Sequence, residues 1–362
     1  MIRPNKNVEK LNRLKDFGSD RNGFIRMDRN ERTTGFPEKA YQAMMASLSN
    51  EMLTMYPDQT SFYKKLSRFL NVPESNLLLS SGSDAAIKMI FETYVAPQDE
   101  VVFLDPTYAM VDVYAQMFDA RVTKVGYSAN LELQFSQLLA SITERTRVVF
   151  IANPNQPTGS SVTESQIRQL LEKTHSTNSL LVFDEAYQQF SSQPSTIRFV
   201  DQYPQLIVLQ TFSKALGLAA LRLGFMVSQA ENINWLYRVK SLADINAVAL
   251  KCGEYLLDNY NIVDDYVKSV LQAKAYLAQE FAKLGVQSIL GDANFIHLKF
   301  PNPYDIEAIA RSMKSKGYLI RTTGVGLPAV MEGCIRLTVG PLEQMQQFFR
   351  DFLVVFQQVC PA

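Results

Sequence analysis

The pattern of apolar and polar positions divides the chain into two styles. Between residues 77 and 209, short and nearly uninterrupted apolar runs recur: Leu77-Leu78-Leu79, Val101-Val102-Phe103-Leu104, a strand-like 121–125, Val148-Val149-Phe150-Ile151, Leu180-Leu181-Val182-Phe183 and Leu206-Ile207-Val208-Leu209. Helical spacing fills several of the intervals, at 84–94, from about 109, and at 163–174. A strand that is apolar at every position leaves no face for water. The pattern therefore predicts an α/β fold with a mainly parallel central sheet covered on both faces. Residues 37–48 and 61–70 read as helices, the second amphipathic through Phe62, Leu66, Phe69 and Leu70, with a turn at Met55-Tyr56-Pro57-Asp58-Gln59 between them.

From 232 to about 285 the chain reads as mostly helical and has no proline. Beyond it, strand-like 295–298, 318–320 and 335–339 alternate with a helix at 306–314 and a final helix from 342, which predicts a second, smaller α+β domain. The expected division is an N-terminal arm at 1–25, a small domain of 26–48 with 286–362, and a large domain of 49–285. The first fifty residues show no strand of their own and are expected to pack on the small domain.

Composition narrows the classes. In 362 residues, hydrophobic side chains make up 47% and charged ones 20%, which suits a folded globular chain with a sizeable core. Lys plus Arg and Asp plus Glu balance at 36 each, so charge gives no reason to expect nucleic acid or an acidic membrane as partner; small molecules are expected instead. Cys252, Cys334 and Cys360 are far apart, and the only histidines are His175 and His297, which argues against a disulfide framework or a metal cluster. The longest apolar runs, such as Phe352-Leu353-Val354-Val355-Phe356, are too short to span a bilayer, and the start lacks a long apolar segment; a cytoplasmic protein is expected.

Candidate chemistry gathers where strands end. Lys214 lies just past the run at 207–209 and is trailed by glycines and Arg222; partly desolvated, such a lysine becomes a carbonyl nucleophile able to form a Schiff base, although most lysines simply sit on surfaces. Ser80-Ser81-Gly82-Ser83-Asp84 precedes a helix, offering either an anion site at its N-terminus or a plain N-cap. Asp184 ends a buried strand, where its charge needs a cation: a bound ring nitrogen or an arginine of the chain. Asn153-Pro154-Asn155-Gln156-Pro157-Thr158-Gly159 makes a rigid turn under any reading. In combination, these features fit one cofactor that carries a phosphate, a basic ring nitrogen and an aldehyde.

The motifs Asn-Pro-x-x-Pro-Thr-Gly, Asp-Glu-Ala-Tyr and Ser-Lys-x-x-Gly-Leu-x-x-Leu-Arg-x-Gly stand in one order between Asn153 and Gly224, within a match that runs over about 28–339. By them the chain resembles the fold type I pyridoxal-phosphate enzymes of the class I/II aminotransferases, in particular the histidinol-phosphate aminotransferases. The resemblance implies pyridoxal 5'-phosphate as cofactor, with Lys214 forming the Schiff base and later shuttling a proton. It implies that Asp184 keeps the pyridine nitrogen protonated, so that the ring serves as an electron sink. Ser213, Arg222 and the amides of Gly82, Ser83 and Asp84 would take the phosphate, Tyr108 would stack on the ring, and Tyr187 would hydrogen-bond its phenolic oxygen. Tyr56 would reach the cofactor of the neighbouring subunit, which implies a homodimer. Arg336 would grip the substrate carboxylate and Arg321 would meet the distal end of the substrate, with Asn30 nearby.

Three stretches depart from the family pattern. Gln156 stands where Asn usually contacts the phenolic oxygen, so either Gln156 or Asn155 would make that contact. Asn30-Glu31-Arg32-Thr33 replaces Asn-Glu-Asn-Pro, and Leu242-Ala243-Asp244-Ile245-Asn246 replaces a Pro-Tyr or Pro-Phe stretch. The last two are expected to border the substrate, with Arg32 adding a charge there. The expected activity is transfer of an amino group from an amino acid, expected to be glutamate, to a small, possibly phosphorylated carbonyl compound. The alternative is a decarboxylase or lyase acting on an O-phospho amino acid. A regulatory pyridoxal-phosphate protein would need a basic DNA-binding segment, which the sequence lacks.

Overall fold

The structure is a computed structural model that describes residues 2–11, 20–129, 131–301, 304–323 and 331–359. Part of the expected N-terminal arm, including Gly18, lies outside the described residues, as does Cys360. The strands in chain order are β1 (Ile25–Arg26), β2 (Leu77–Ser80), β3 (Glu100–Leu104), β4 (Arg121–Val125), β5 (Thr146–Ala152), β6 (Leu180–Asp184), β7 (Leu206–Thr211), β8 (Gly224–Val227), β9 (Gln287–Leu290), β10 (Phe295–Lys299), β11 (Tyr318–Leu319), β12 (Arg321–Thr322) and β13 (Cys334–Thr338).

Seven of them form one sheet in the order β2-β8-β7-β6-β5-β3-β4. The pairs β7–β6, β6–β5, β5–β3 and β3–β4 are parallel, while β8 runs antiparallel to both β2 and β7. Both faces are buried, and successive residues of one strand serve opposite faces: Val148 and Phe150 join one apolar cluster, Val149 and Ile151 the other. That two-sided burial is the physical reason the strands lack a polar alternation. The edge strand β4 is the exception, exposed along most of its length.

Several elements depart from the sequence expectation, among them β9 and β12, which no expected strand covers. Gly224–Val227 is a strand inserted between β2 and β7, and Phe135–Ser141 is a short helix. In addition, the first fifty residues do supply a strand, because β1 pairs in parallel with β11. The stretch expected to be mostly helical divides into Ala230–Tyr237, Ala247–Asp258 and Asn261–Lys283.

A second sheet, antiparallel, runs β12-β13-β10-β9. Its apolar residues Phe295, Ile296 and Leu337 belong to the same buried cluster as Leu181, Phe183 and Val208 of the large sheet, so one core runs through both. The final helix, Leu342–Val359, adds Phe348, Phe349 and Phe352 to it. The two sheets also meet backbone to backbone. Asp292 N–H donates to Gly159 O at 2.7 Å, and a Cβ on Gly291 would stand only 2.3 Å from that oxygen, so the approach requires glycine there. Lys274, buried in the long helix, donates from Nζ to Ala293 O at 2.7 Å and also to Gly291 O, pinning this loop; burial pushes its ammonium down to about 8.

Candidate active site

A cavity of about 310 Å³ opens at the carboxyl ends of β5, β6 and β7, lined by residues of both sheets. The position follows from topology. From β3 the chain passes to β4 on one side and then crosses to β5 on the other, so the loops after β3 and β5 diverge and leave a crevice. Tyr108 follows β3, Pro154 and Gln156 follow β5, Ala186 and Tyr187 follow β6, and Ser213 and Lys214 follow β7; all line the cavity.

Two adjacent carboxylates at the end of β6 show what the site requires. Glu185 is buried and pushed up by burial, yet it accepts from Ser195 Oγ (2.5 Å), Thr196 N–H (2.6 Å), Thr196 Oγ1 (2.7 Å) and Gln210 Nε2 (2.9 Å). Its charge is satisfied by the protein. Asp184, only 4% exposed, accepts from Ala186 N–H at 3.1 Å, and no guanidinium pairs with it among the described residues. Burial pushes its carboxyl up to about 7, against the downward pull of the Ala186 N–H and of Lys214. A buried carboxylate in that condition is short of one cation. Of the two partners that the sequence left open, an arginine of the chain is absent among the described residues.

At the other end of the cavity the helix Gly82–Tyr94 begins, and its residues Ser83 and Asp84 line the wall. Arg222 closes over this end, its Nη2 donating to Ser81 O (3.4 Å) and its Nη1 to Ala219 O (3.1 Å) and Ser213 Oγ (3.4 Å). A Cβ on Gly82, whose φ is +77°, would lie 2.6 Å from Arg222 Nη2, so glycine makes room for the guanidinium. Helix N–H groups and a guanidinium together make a cradle for a phosphate.

The remaining wall comes from the antiparallel sheet and the segment after β1. Arg336, on β13, is 5% exposed, donates from Nη2 to Asp28 O at 2.7 Å, and has its pKa lowered by burial. Arg321 stands directly opposite it on β12, so two cationic side chains share one row of the sheet. Asn30 donates from Nδ2 to Tyr187 Oη at 2.9 Å and accepts at Oδ1 from Thr338 Oγ1 at 3.1 Å, which ties this segment to both sheets. Lys214 Nζ donates to Arg29 O at 3.2 Å and lies 5.6 Å from the Tyr187 ring centroid. Tyr108 is half-buried, its hydroxyl pushed up by burial and by the facing Asp84 and Asp184.

Several residues lie elsewhere than the sequence suggested. Asn155 is 1% exposed and off the cavity wall: its Nδ2 donates to Pro106 O and Thr158 Oγ1, and its Oδ1 accepts from Thr107 Oγ1. Its amide is taken up by its own turn and by the loop after β3, whereas Gln156 lines the cavity. Arg32 does not line it either. Its guanidinium is sandwiched between Phe36 (4.7 Å) and Tyr266 (3.9 Å), with its charge disfavoured by burial. The 242–246 stretch meets the phosphate-cradle side instead of the substrate side: Ser81 Oγ donates to Asp244 O at 2.8 Å and Asn246 Nδ2 to Leu221 O at 3.0 Å. Tyr56, expected to serve a neighbouring subunit, is 90% exposed and outside the cavity of its own chain, which agrees with that expectation without testing it. Sequence reasoning passed over Arg29, which lines the cavity; its one signal was its place beside Asn30.

The family description for aminotransferases of class I and II matches residues 22–352. The chain belongs to that family. Curated relatives include the histidinol-phosphate aminotransferase of Bacteroides thetaiotaomicron, 34% identical over 79% of this chain and 82% of that protein. Another is the histidinol-phosphate aminotransferase of Moorella thermoacetica, 31% identical over 96% of this chain and 88% of the relative. Among solved structures, the histidinol-phosphate aminotransferase of Sinorhizobium meliloti in complex with pyridoxal-5'-phosphate shares the fold, with a TM-score of 0.87 at 21% identity over 99% of both chains. Family membership makes the chain an enzyme of the transaminase type, acting on small molecules.

Proposed function

We propose that this transaminase uses pyridoxal 5'-phosphate to move an amino group from an amino acid, glutamate in our reading, to a small phosphorylated carbonyl compound. The observation that carries this is the pairing of Asp184, a buried carboxylate lacking a cation, with Lys214 and a phosphate cradle in one cavity. The residues fit the cofactor. Asp184 supplies the counter-charge for a protonated ring nitrogen, and Ser213, Arg222 and the Gly82, Ser83 and Asp84 amides would receive the phosphate. Tyr108 would face the ring, while Tyr187 and Gln156 would address its phenolic oxygen. Bound there, the cofactor supplies an electron sink for the substrate's reacting carbon.

The chain's own residues would do the rest. The Lys214 amine would take a proton from the substrate carbon and return it. Arg336 would hold the substrate carboxylate by two parallel N–H bonds, fixing which bond faces the ring. Arg321 and Arg29 would meet the distal anionic group, a reading supported by the histidinol-phosphate relatives and by three guanidinium groups on one side of the cavity. Screening glutamate and other donors against phosphorylated ketones and aldehydes, histidinol phosphate among the amines, tests the substrate class by the cofactor's spectral change. Carbon dioxide release from an O-phospho amino acid without an acceptor would overturn it in favour of the lyase.

A homodimer acting in the cytoplasm is part of the same reading. Tyr56 stands out from the surface beside exposed Leu53 and Met55, as a residue contributed to a neighbouring site would. Sedimentation of wild type and Tyr56→Ala tests it. The small domain is taken as 26–48 with 286–362 on a 49–285 body, a division supported by the β1–β11 pairing.

A further inference from the structure

The antiparallel sheet carries a second chemistry-bearing residue beside Arg336. His297 on β10 sits directly opposite Arg336 in the β10–β13 register, as Arg321 does on the other side. It is 1% exposed, and its other cross-strand neighbour is the uncharged Ile289 on β9. The ring of Phe295, two residues before it on the same strand face, meets the imidazole edge-on at 5.6 Å and lies 5.7 Å from the Arg336 guanidinium.

Two buried atoms in this row lack a hydrogen-bond partner among the described residues: Arg336 Nε, which can only donate, and His297 Nε2, which accepts when the ring proton is on Nδ1. Opposite residues of an antiparallel pair have Cβ atoms about 5 Å apart, so a rotamer change or one bridging water joins these two groups. We propose that His297 is a positioning residue for Arg336. Its Nε2 accepts the Arg336 Nε–H and sets the plane in which the guanidinium presents its outer N–H groups to an anionic group of the substrate. The imidazole is neutral in this role, because burial and the neighbouring Arg336 push its pKa down to about 3. A buried aliphatic residue at 297 would pack as well but would leave Arg336 Nε unpaired.

The inference rests on Arg336 being the substrate's anion grip, and the test separates the two. Long-range nitrogen NMR of the holoenzyme reads two imidazoles, His175 being exposed and assigned through His175→Gln. The expected result is a proton on Nδ1 of His297 and a shift of its Nε2 resonance when glutarate, an unreactive dicarboxylate, is added. In parallel, His297→Leu should raise KM for the amino donor by roughly ten-fold with kcat little changed and cofactor affinity unaltered. His297→Gln, which keeps an acceptor, should recover most of that loss. A proton on Nε2, or a wild-type KM in His297→Leu, overturns the proposal. If Arg336→Lys raises KM while His297→Leu does not, only the positioning role falls; if neither raises it, the reading of Arg336 itself falls. Should His297→Leu fail to fold, the tautomer in the wild-type protein decides.

Discussion

The two walls of the cavity are built by different means. On the parallel-sheet side, Asp184 and Lys214 stand at or just past the ends of β6 and β7, and Ser83 and Asp84 open a helix directly after β2. Each is placed by its own strand and the loop that follows, so a short contiguous motif carries both the residue and its position. On the antiparallel side, Arg336 and Arg321 face the cavity because of strand register, and Asn30 arrives from a segment more than 300 residues away from its partner Thr338. The first wall is local, and in the proposed function its charges serve one fixed group. The second depends on long-range pairing and carries an excess of cations, which suits it to select among substrates.

The largest expected effect removes the residue of the local wall that reaches across to the other, Lys214, whose Nζ donates to Arg29 O. Lys214→Ala should lower turnover by roughly 10³-fold or more, read by single-turnover kinetics together with loss of the visible absorbance that reports the lysine–cofactor link. Retention of both would break the comparison at its centre.

Asp184 tests the local wall by itself. Because burial raises its carboxyl from 3.8 to about 7, the folded chain keeps a proton there that the unfolded chain releases. Stability therefore falls as pH rises between about pH 4 and pH 7, and the loss is complete above that window. In protein stripped of cofactor, Asp184→Asn should be more stable than wild type at about pH 8, by at most about 4 kcal/mol, and the two should converge toward about pH 4. Denaturant midpoints across this range measure the difference. Adding cofactor should narrow it, since the wild-type carboxylate then gains its cation.

For the register-built wall, Arg336→Lys should cost about 10²-fold in kcat/KM for a carboxylate-bearing donor, because a point charge replaces a bidentate fork. Cofactor affinity should stay unchanged, and a parallel loss of it would show that the two walls are not separable. At the seam, Gly291→Ala places a Cβ against the Gly159 carbonyl, which no side-chain rotation relieves. It should lower stability by about 1–3 kcal/mol, seen as an earlier thermal midpoint.

Legibility in the sequence followed the same division. The motif around Lys214, the strand-end Asp184 and the turn with Gln156 could be read because their geometry is local. Arg29 and His297 gave little or no signal, since nothing in their neighbours along the chain says which wall they join. Arg32 and the 242–246 stretch misled for the related reason that a departure from a family pattern, read along the chain, does not fix the direction of a side chain. Arg32 turned to the rings of Phe36 and Tyr266, and the 242–246 stretch packed against Ser81 and Leu221. Strand β8 escaped because its four residues follow directly on a loop dominated by chemistry.

By itself the sequence determined the α/β class and the order of the parallel strands' apolar runs, and it singled out Asp184, Lys214, Arg222, Ser83 and Asp84, which line one cavity. These depend on periodicity and on residues within a few positions of one another. Only the tertiary structure decided that Asp184 has no arginine partner among the described residues, that the Asn155 amide is spent on Pro106, Thr107 and Thr158 while Gln156 lines the cavity, and that Arg336 lies between Arg321 and His297. Those facts depend on sheet register and on which loops meet across the crevice. Both are set by burial of the whole core at once.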